Sequence, residues 1–219
     1  MQRLTRHQRP KGLLRAALGQ VDGDILGWGA MNLIRTRIAT VCLMALILSG
    51  GGLTTAATKG VTATIRPAHQ RRSAPDFALK DAAGKTIRLS DHRGRVVLLD
   101  FWATKCGGCV EEIPWFIEIT EMFAAKGLAT VRVSEDIAYE NLKGADEAWT
   151  LVKPFVRDHK VPYPVLMGDP QVTTSYDINA LPLTYLIDRR GRIAAVYAGM
   201  VDRADLEANI RTILAEPRR

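Results

Sequence analysis

Cysteine is scarce in this chain: Cys42, Cys106 and Cys109 are the only three in 219 residues. So few cannot knit the disulfide framework that holds small secreted domains together. Aromatic residues are also thin, at 6%, and no basic run interleaved with aromatics suggests DNA or RNA as a partner. His69, His92 and His159 have no spacing that suits metal ligands, so each is expected at the surface and no metal site is expected. No internal repeat is visible. The net charge of +7 is likewise not a binding signal, because residues 1–57 hold seven Lys/Arg against two Asp/Glu while the rest is nearly balanced, 23 against 21. The excess sits in the leader.

That leader contains Ile38 to Leu48, an apolar run of eleven residues, short for a bilayer span but suited to the core of an export signal. Arg35 and Arg37 precede it, Ser49-Gly50-Gly51-Gly52 breaks it, and Thr54-Thr55-Ala56-Ala57 offers small residues for cleavage. Residues 31–57 therefore read as a complete signal peptide, with an uncleaved membrane anchor as the alternative. Translation is expected to begin at Met31, which leaves residues 1–30 as a mis-called start or a disordered extension. Val41 before Cys42 argues against a lipoprotein. Removal of the signal would leave Cys106 and Cys109 as the sole pair in an exported protein.

Residues 58–73 are polar, basic and without periodicity, and read as a linker. A globular pattern follows over 74–216, and the 47% hydrophobic content is ample for its core. Asp76–Leu79 and Thr86–Leu89 flank a glycine turn as a hairpin. Arg95–Phe101 and Ala129–Ser134 read as buried strands, Gly107–Lys126 as a helix bent by Pro114, and Ala145–His159 as a second helix. Val165–Met167 reads as a short strand and Gln171–Tyr176 as a short helix. Leu183–Ile187 and Ile193–Tyr197 form a hairpin across Asp188–Arg192, and Asp202–Leu214 is a closing helix. Alternation of strand and helix followed by a hairpin predicts an α/β domain with a mixed sheet.

The chemistry concentrates in Phe101-Trp102-Ala103-Thr104-Lys105-Cys106-Gly107-Gly108-Cys109, where a buried strand gives way to a helix. A thiol there meets unpaired N–H groups and the positive end of the helix dipole, which favour the thiolate. A second thiol three residues further on is within reach to close a disulfide. That is the minimum equipment for thiol–disulfide exchange.

These residues carry a family likeness. With Ala74-Pro75-Asp76-Phe77, Glu112-x-Pro114, Leu181-Pro182-Leu183-Thr184 and Leu186-Ile187-Asp188, the chain from about Ala74 to Leu214 resembles TlpA/ResA-type thiol–disulfide oxidoreductases of the thioredoxin superfamily, related to the AhpC/TSA–Redoxin group. The resemblance implies a thioredoxin-like fold: a central mixed β-sheet flanked by helices, with an N-terminal β-hairpin extension. It implies no cofactor, client proteins with disulfides or thiols, a membrane thiol transporter as electron donor, and a role outside the cytoplasm such as cytochrome c maturation. Cys106 would attack and Cys109 would resolve the mixed disulfide, the two forming a redox-active disulfide. Glu112, three residues on from Cys109 and on the same helical face, would accept the resolving proton with its own pKa raised by burial. Pro182 matches the position that is cis in the family, turning the Leu181 backbone toward a substrate strand. Trp102 is expected to cover the site.

Two positions depart from the pattern, for Lys105 and Gly108 stand where many members have tryptophan and proline. The lysine is expected to lower the Cys106 pKa and make the disulfide easier to reduce, hence the protein more oxidising, and the Gly-Gly pair to loosen the helix start. Two other readings compete. A copper chaperone would use the same thiolates, which suit Cu(I), but no histidine or methionine lies close in sequence. A peroxiredoxin would need Pro-x-x-x-Thr-x-x-Cys, and here Ala103 stands three before Cys106 and Leu99 seven before.

Overall fold

A computed structural model of the protein describes residues 60–217. The signal read at 31–57, the extension before it and Cys42 lie outside the described residues. No helix among the described residues is long and apolar enough to cross a membrane.

Strand β3 (Val96–Trp102) is the centre of the molecule, and every residue of its run Val-Val-Leu-Leu-Asp-Phe-Trp is buried. A strand covered on both faces reads as a continuous apolar run rather than an alternation. Beside it lie β4 (Leu128–Ser134) and β5 (Val165–Met167), both parallel to it, and on its other side β6 (Leu183–Ile187) and β7 (Ile193–Ala198), both joining antiparallel. The five strands run in the order β5-β4-β3-β6-β7, the mixed sheet expected from the sequence. A separate hairpin of β1 (Ala78–Lys80) and β2 (Thr86–Arg88) touches the sheet edge through a bridge from Asp81 to Leu166.

The two-residue period of β3 sorts its side chains between two cores. Val97, Leu99 and Phe101 pack with Phe77, Tyr176 and Tyr185. Val96 and Leu98 face Phe116, Ile119 and Phe123, and on the same side lie Leu206, Ile210 and Ile213 of the last helix. The expected helix over Gly107–Lys126 is two helices, α1 (Gly107–Glu111) and α2 (Ile113–Phe123), followed by a tight turn at Ala124–Lys126. Pro114 sits in the first turn of α2, where a missing N–H is tolerated, and the break falls at Glu112 just ahead of it. The remaining helices are α3 (Asp136–Tyr139), α4 (Ala145–Asp158), α5 (Pro170–Ser175) and α6 (Arg203–Ala215). The short α3 was not expected from the sequence.

The linker expected over 58–73 is, from Gly60 onward, a strap laid along the domain. Val61 donates its N–H to the Met200 carbonyl and accepts from Asp202, Arg66 donates to Ala194, and Arg72 accepts from Ile193. A side chain at Gly60 would collide with the Val201 carbonyl. Arg71 is buried and pairs with Asp188 and Glu216. Asp205 and Asn209 of the last helix also bond the Ala63 backbone, and Arg192 the Ala68 carbonyl; such scattered ties leave no periodic pattern to read.

Candidate active site

The loop Ala103–Lys105 carries the chain from the end of β3 into α1, and Asp136 fastens it. The buried Asp136 carboxylate accepts from the N–H and hydroxyl of Thr104 and, at 2.7 Å, from the hydroxyl of Ser134. Cys106 then caps α1: its Sγ accepts the Cys109 N–H at 3.3 Å. A donor aimed at sulfur from a helix start stabilises a thiolate there. Cys106 and Cys109 form a disulfide with Cα atoms 5.2 Å apart. Both are buried, Cys106 at 4% exposure and Cys109 at 0%.

The Leu181–Pro182 bond is cis. A Cβ added at Gly108 would stand 3.6 Å from Pro182 Cδ and 3.9 Å from Met200 Cβ, so these two side chains flank the Gly107–Gly108 turn. Leu181 is half-buried beside them, packed against the apolar cluster that contains both cysteines.

Glu112 follows Cys109 by one helical turn and is fully buried, at 0% exposure. Its Oε1 accepts the Val201 N–H at 2.7 Å, while Oε2 has no partner. Burial pushes its pKa up to about 8, and the negative Asp100 adds to the rise against the Val201 N–H and Arg132. At neutral pH this carboxyl holds a proton while the disulfide is closed.

Sequence reading missed what lies underneath. Register places Arg132 of β4, Asp100 of β3 and Thr184 of β6 in one cross-strand row. Arg132 Nε donates to Asp100 at 2.6 Å, Thr184 donates to the same carboxylate at 2.9 Å, and Arg132 Nη2 reaches the Cys109 carbonyl at 3.3 Å. The guanidinium lies 4.7 Å from the Trp102 ring and 5.2 Å from that of Phe116. Burial raises the Asp100 pKa, with Arg132 opposing it. Asp100, a charge inside an apolar run, was the available signal. Arg132 in Thr-Val-Arg-Val-Ser looks like one exposed position of an alternating strand.

Trp102 is 1% exposed and lies in the apolar cluster that holds both cysteines, its ring 5.1 Å from that of Phe155. Two expectations need correction. Lys105 points outward, 65% exposed, and pairs with Glu140, so its charge is largely met there rather than spent on Cys106. His92 is half-buried with Nε2 unpartnered, and burial lowers its pKa, whereas His69 and His159 are exposed as expected. Among the described residues no group of three or more His, Cys, Asp or Glu side chains is arranged to hold a metal ion.

The fold and this site define a thioredoxin-like protein with a cysteine pair at the head of its first sheet-packed helix. The chain belongs to the AhpC/TSA family, whose profile matches residues 71–196. It is similar to the thiol-disulfide oxidoreductase ResA of Geobacillus thermodenitrificans, 30% identical over 141 residues that cover 64% of this chain and 76% of that protein. The Bacillus subtilis ResA is 35% identical over 127 residues, 58% of this chain and 65% of its own length. Among solved structures, a Chlorobium tepidum protein described as the thiol:disulfide interchange protein DsbE superposes with a TM-score of 0.58 at 30% identity, covering 66% of this chain and 97% of that one.

Proposed function

We propose that this protein is a thiol–disulfide oxidoreductase that reduces disulfides of client proteins outside the cytoplasm, as in cytochrome c maturation. The observation that carries the reading is the Cys106–Cys109 disulfide at the head of α1, with Sγ of Cys106 on a helix N–H. In the reduced protein the Cys106 thiolate attacks a client disulfide. One client thiolate leaves and a mixed disulfide forms. Cys109 then attacks Cys106 Sγ, expelling the second client thiolate and closing the pair, so two electrons pass to the client. Glu112 takes the proton that Cys109 loses and returns it when a donor dithiol reopens the disulfide. A raised pKa suits both directions. Leu181, beside the cis Pro182, offers its backbone to the client strand.

The leader composition supports export, with residues 31–57 as signal peptide or anchor, translation from Met31, and a membrane thiol transporter as electron donor. N-terminal sequencing of the mature protein tests that organisation. A peroxidase reading lacks the threonine three residues before the reactive cysteine, since Ala103 stands there.

Insulin reduction tests the exchange itself. Cys106→Ala is expected to abolish turnover and Cys109→Ala to accumulate mixed disulfides; turnover that persists in Cys106→Ala shows the roles to be misassigned. Equilibration with glutathione sets the direction, since a potential near or below about −270 mV fits a reductant and one near −120 mV fits an oxidant.

A further inference from the structure

Glu135 is a buried acid that the exchange chemistry does not use. It closes β4, its N–H bonded to the Trp102 carbonyl at 2.8 Å, so it stands at the same end of the sheet as the cysteines. The residue is 4% exposed. Its Oε2 accepts the Thr173 hydroxyl at 2.8 Å, while Oε1 has no partner. Gly168 lies directly against that oxygen, and any side chain there would strike it.

Two clefts of about 240 and 210 Å³ share Glu135, Ala138 and Thr173, and together make one groove between α3 and α5. One end is walled by Ile137 and Pro170, the other by Ile178 and Leu181. Leu181 is the residue before the cis Pro182 and packs against the cluster that holds both cysteines, which ties that end of the groove to the pair. Tyr139, 51% exposed, stands at that end as an uncovered aromatic rim.

We propose that this groove is a subsite for a basic side chain of the client polypeptide, a lysine or arginine a few residues from its reacting cysteine, with Glu135 as the group that selects it. Apolar walls leading in to a buried acid midway along the groove fit a long aliphatic stem with a cationic head. The acid lacks a counter-ion: the charged neighbours that act on it are Asp136 and Asp169, both negative. Burial first, then those two carboxylates, raise its pKa to about 7 against the Thr173 hydroxyl. A client cation would relieve this arrangement, and a neutral side chain would leave it as it is.

The inference rests on the exchange reading above, and the test separates the two. Fully reduced protein is mixed in single turnover with two disulfide-closed peptides that differ only in a Lys or Met a few residues from the cysteine. The readout is the ratio of their rates. At pH 8 the wild type is expected to favour the Lys peptide about tenfold, and the ratio is expected to approach one by about pH 5.5 as Glu135 takes up a proton. In Glu135→Gln it is expected to stay below about twofold at both pH values. A wild-type ratio near one at pH 8, or a tenfold ratio surviving in Glu135→Gln, overturns the subsite. Should Glu135→Gln not fold, a wild-type ratio that does not fall with pH overturns it alone. Failure of the wild type to reduce either peptide instead sinks the exchange reading, and the subsite with it.

Discussion

Strand β3 has a buried arginine–carboxylate cluster near each end, and the two clusters behave in opposite ways. Asp188 follows Ile187, which pairs with Val97 at the start of β3. Its carboxylate takes Arg71 at 3.1 Å, Arg192 at 2.8 Å and the N–H groups of Arg190 and Arg192. Burial alone would raise its pKa, but the Arg192 N–H and the two guanidinium groups outweigh it and hold the carboxyl below its usual range. At the cysteine end, one arginine serves two acids. Arg132 is committed to Asp100 at 2.6 Å, and Glu112 is left with one N–H and a bare oxygen. The same ingredients thus give a permanently charged clamp at one end and a carboxyl poised near neutrality at the other. What differs is the number of donors per acid. A surplus makes structure, and a deficit leaves a proton free to move.

The sharpest way to break that contrast is to remove each arginine. Arg132→Met leaves Asp100 buried without its counter-ion and is expected to cost about 3–5 kcal/mol in urea unfolding. Arg71→Met leaves Asp188 with Arg192 and two N–H donors, so about 1–2 kcal/mol is expected. Equal losses would show that donor count does not separate the clusters. Next in size is Glu112→Gln, expected to slow resolution of the mixed disulfide on the order of 10²-fold.

The same variant divides the pH profile. Folded Glu112 titrates at about 8 against 4.5 for an ordinary glutamate, so across that window the folded state holds a proton the unfolded state has lost. Stability contributed at the site therefore declines as pH rises from about 5 to 8, by at most about 1.4 kcal/mol per unit for each such group. The Asp188 pKa is depressed below 3.8, so its contribution is present above that value and is lost as pH falls through the folded pKa. Glu112→Gln is expected to lessen the slope of the neutral limb, to which the raised Glu135 also contributes, and Asp188→Asn that of the acid limb. The smallest effect is expected from Lys105→Met, less than about twofold in insulin reduction, because the lysine is exposed and already paired with Glu140.

Much of this could be read from the chain itself. Val96–Trp102 announces a buried central strand by composition, and the two cysteines with the Gly-Gly between them mark its exit into a helix. The spacing of Glu112 from Cys109 places both on one helical face. What escaped depends on register and on side-chain direction. Nothing local ties Arg132 to Asp100, because their partnership exists only once β3 and β4 align residue for residue. Glu135 belongs to no periodic face, since it stands at a strand's end where alternation stops. Lys105 is next to Cys106 in sequence, yet its side chain turns away to Glu140, a residue 35 positions on. Adjacency along a chain says little about adjacency of charge.

Val201 gives the molecule a reporter of its own. Its amide proton points at the Glu112 carboxylate, and its neighbours Met200 and Asp202 are bonded to Val61 of the strap. A nitrogen label at that single position would let magnetic resonance follow the proton of a buried acid from the backbone, with no dye or added group near the cysteines. The same signal would register a loosened strap, so one resonance would read both the chemistry of the pair and the seating of Val61 against the domain.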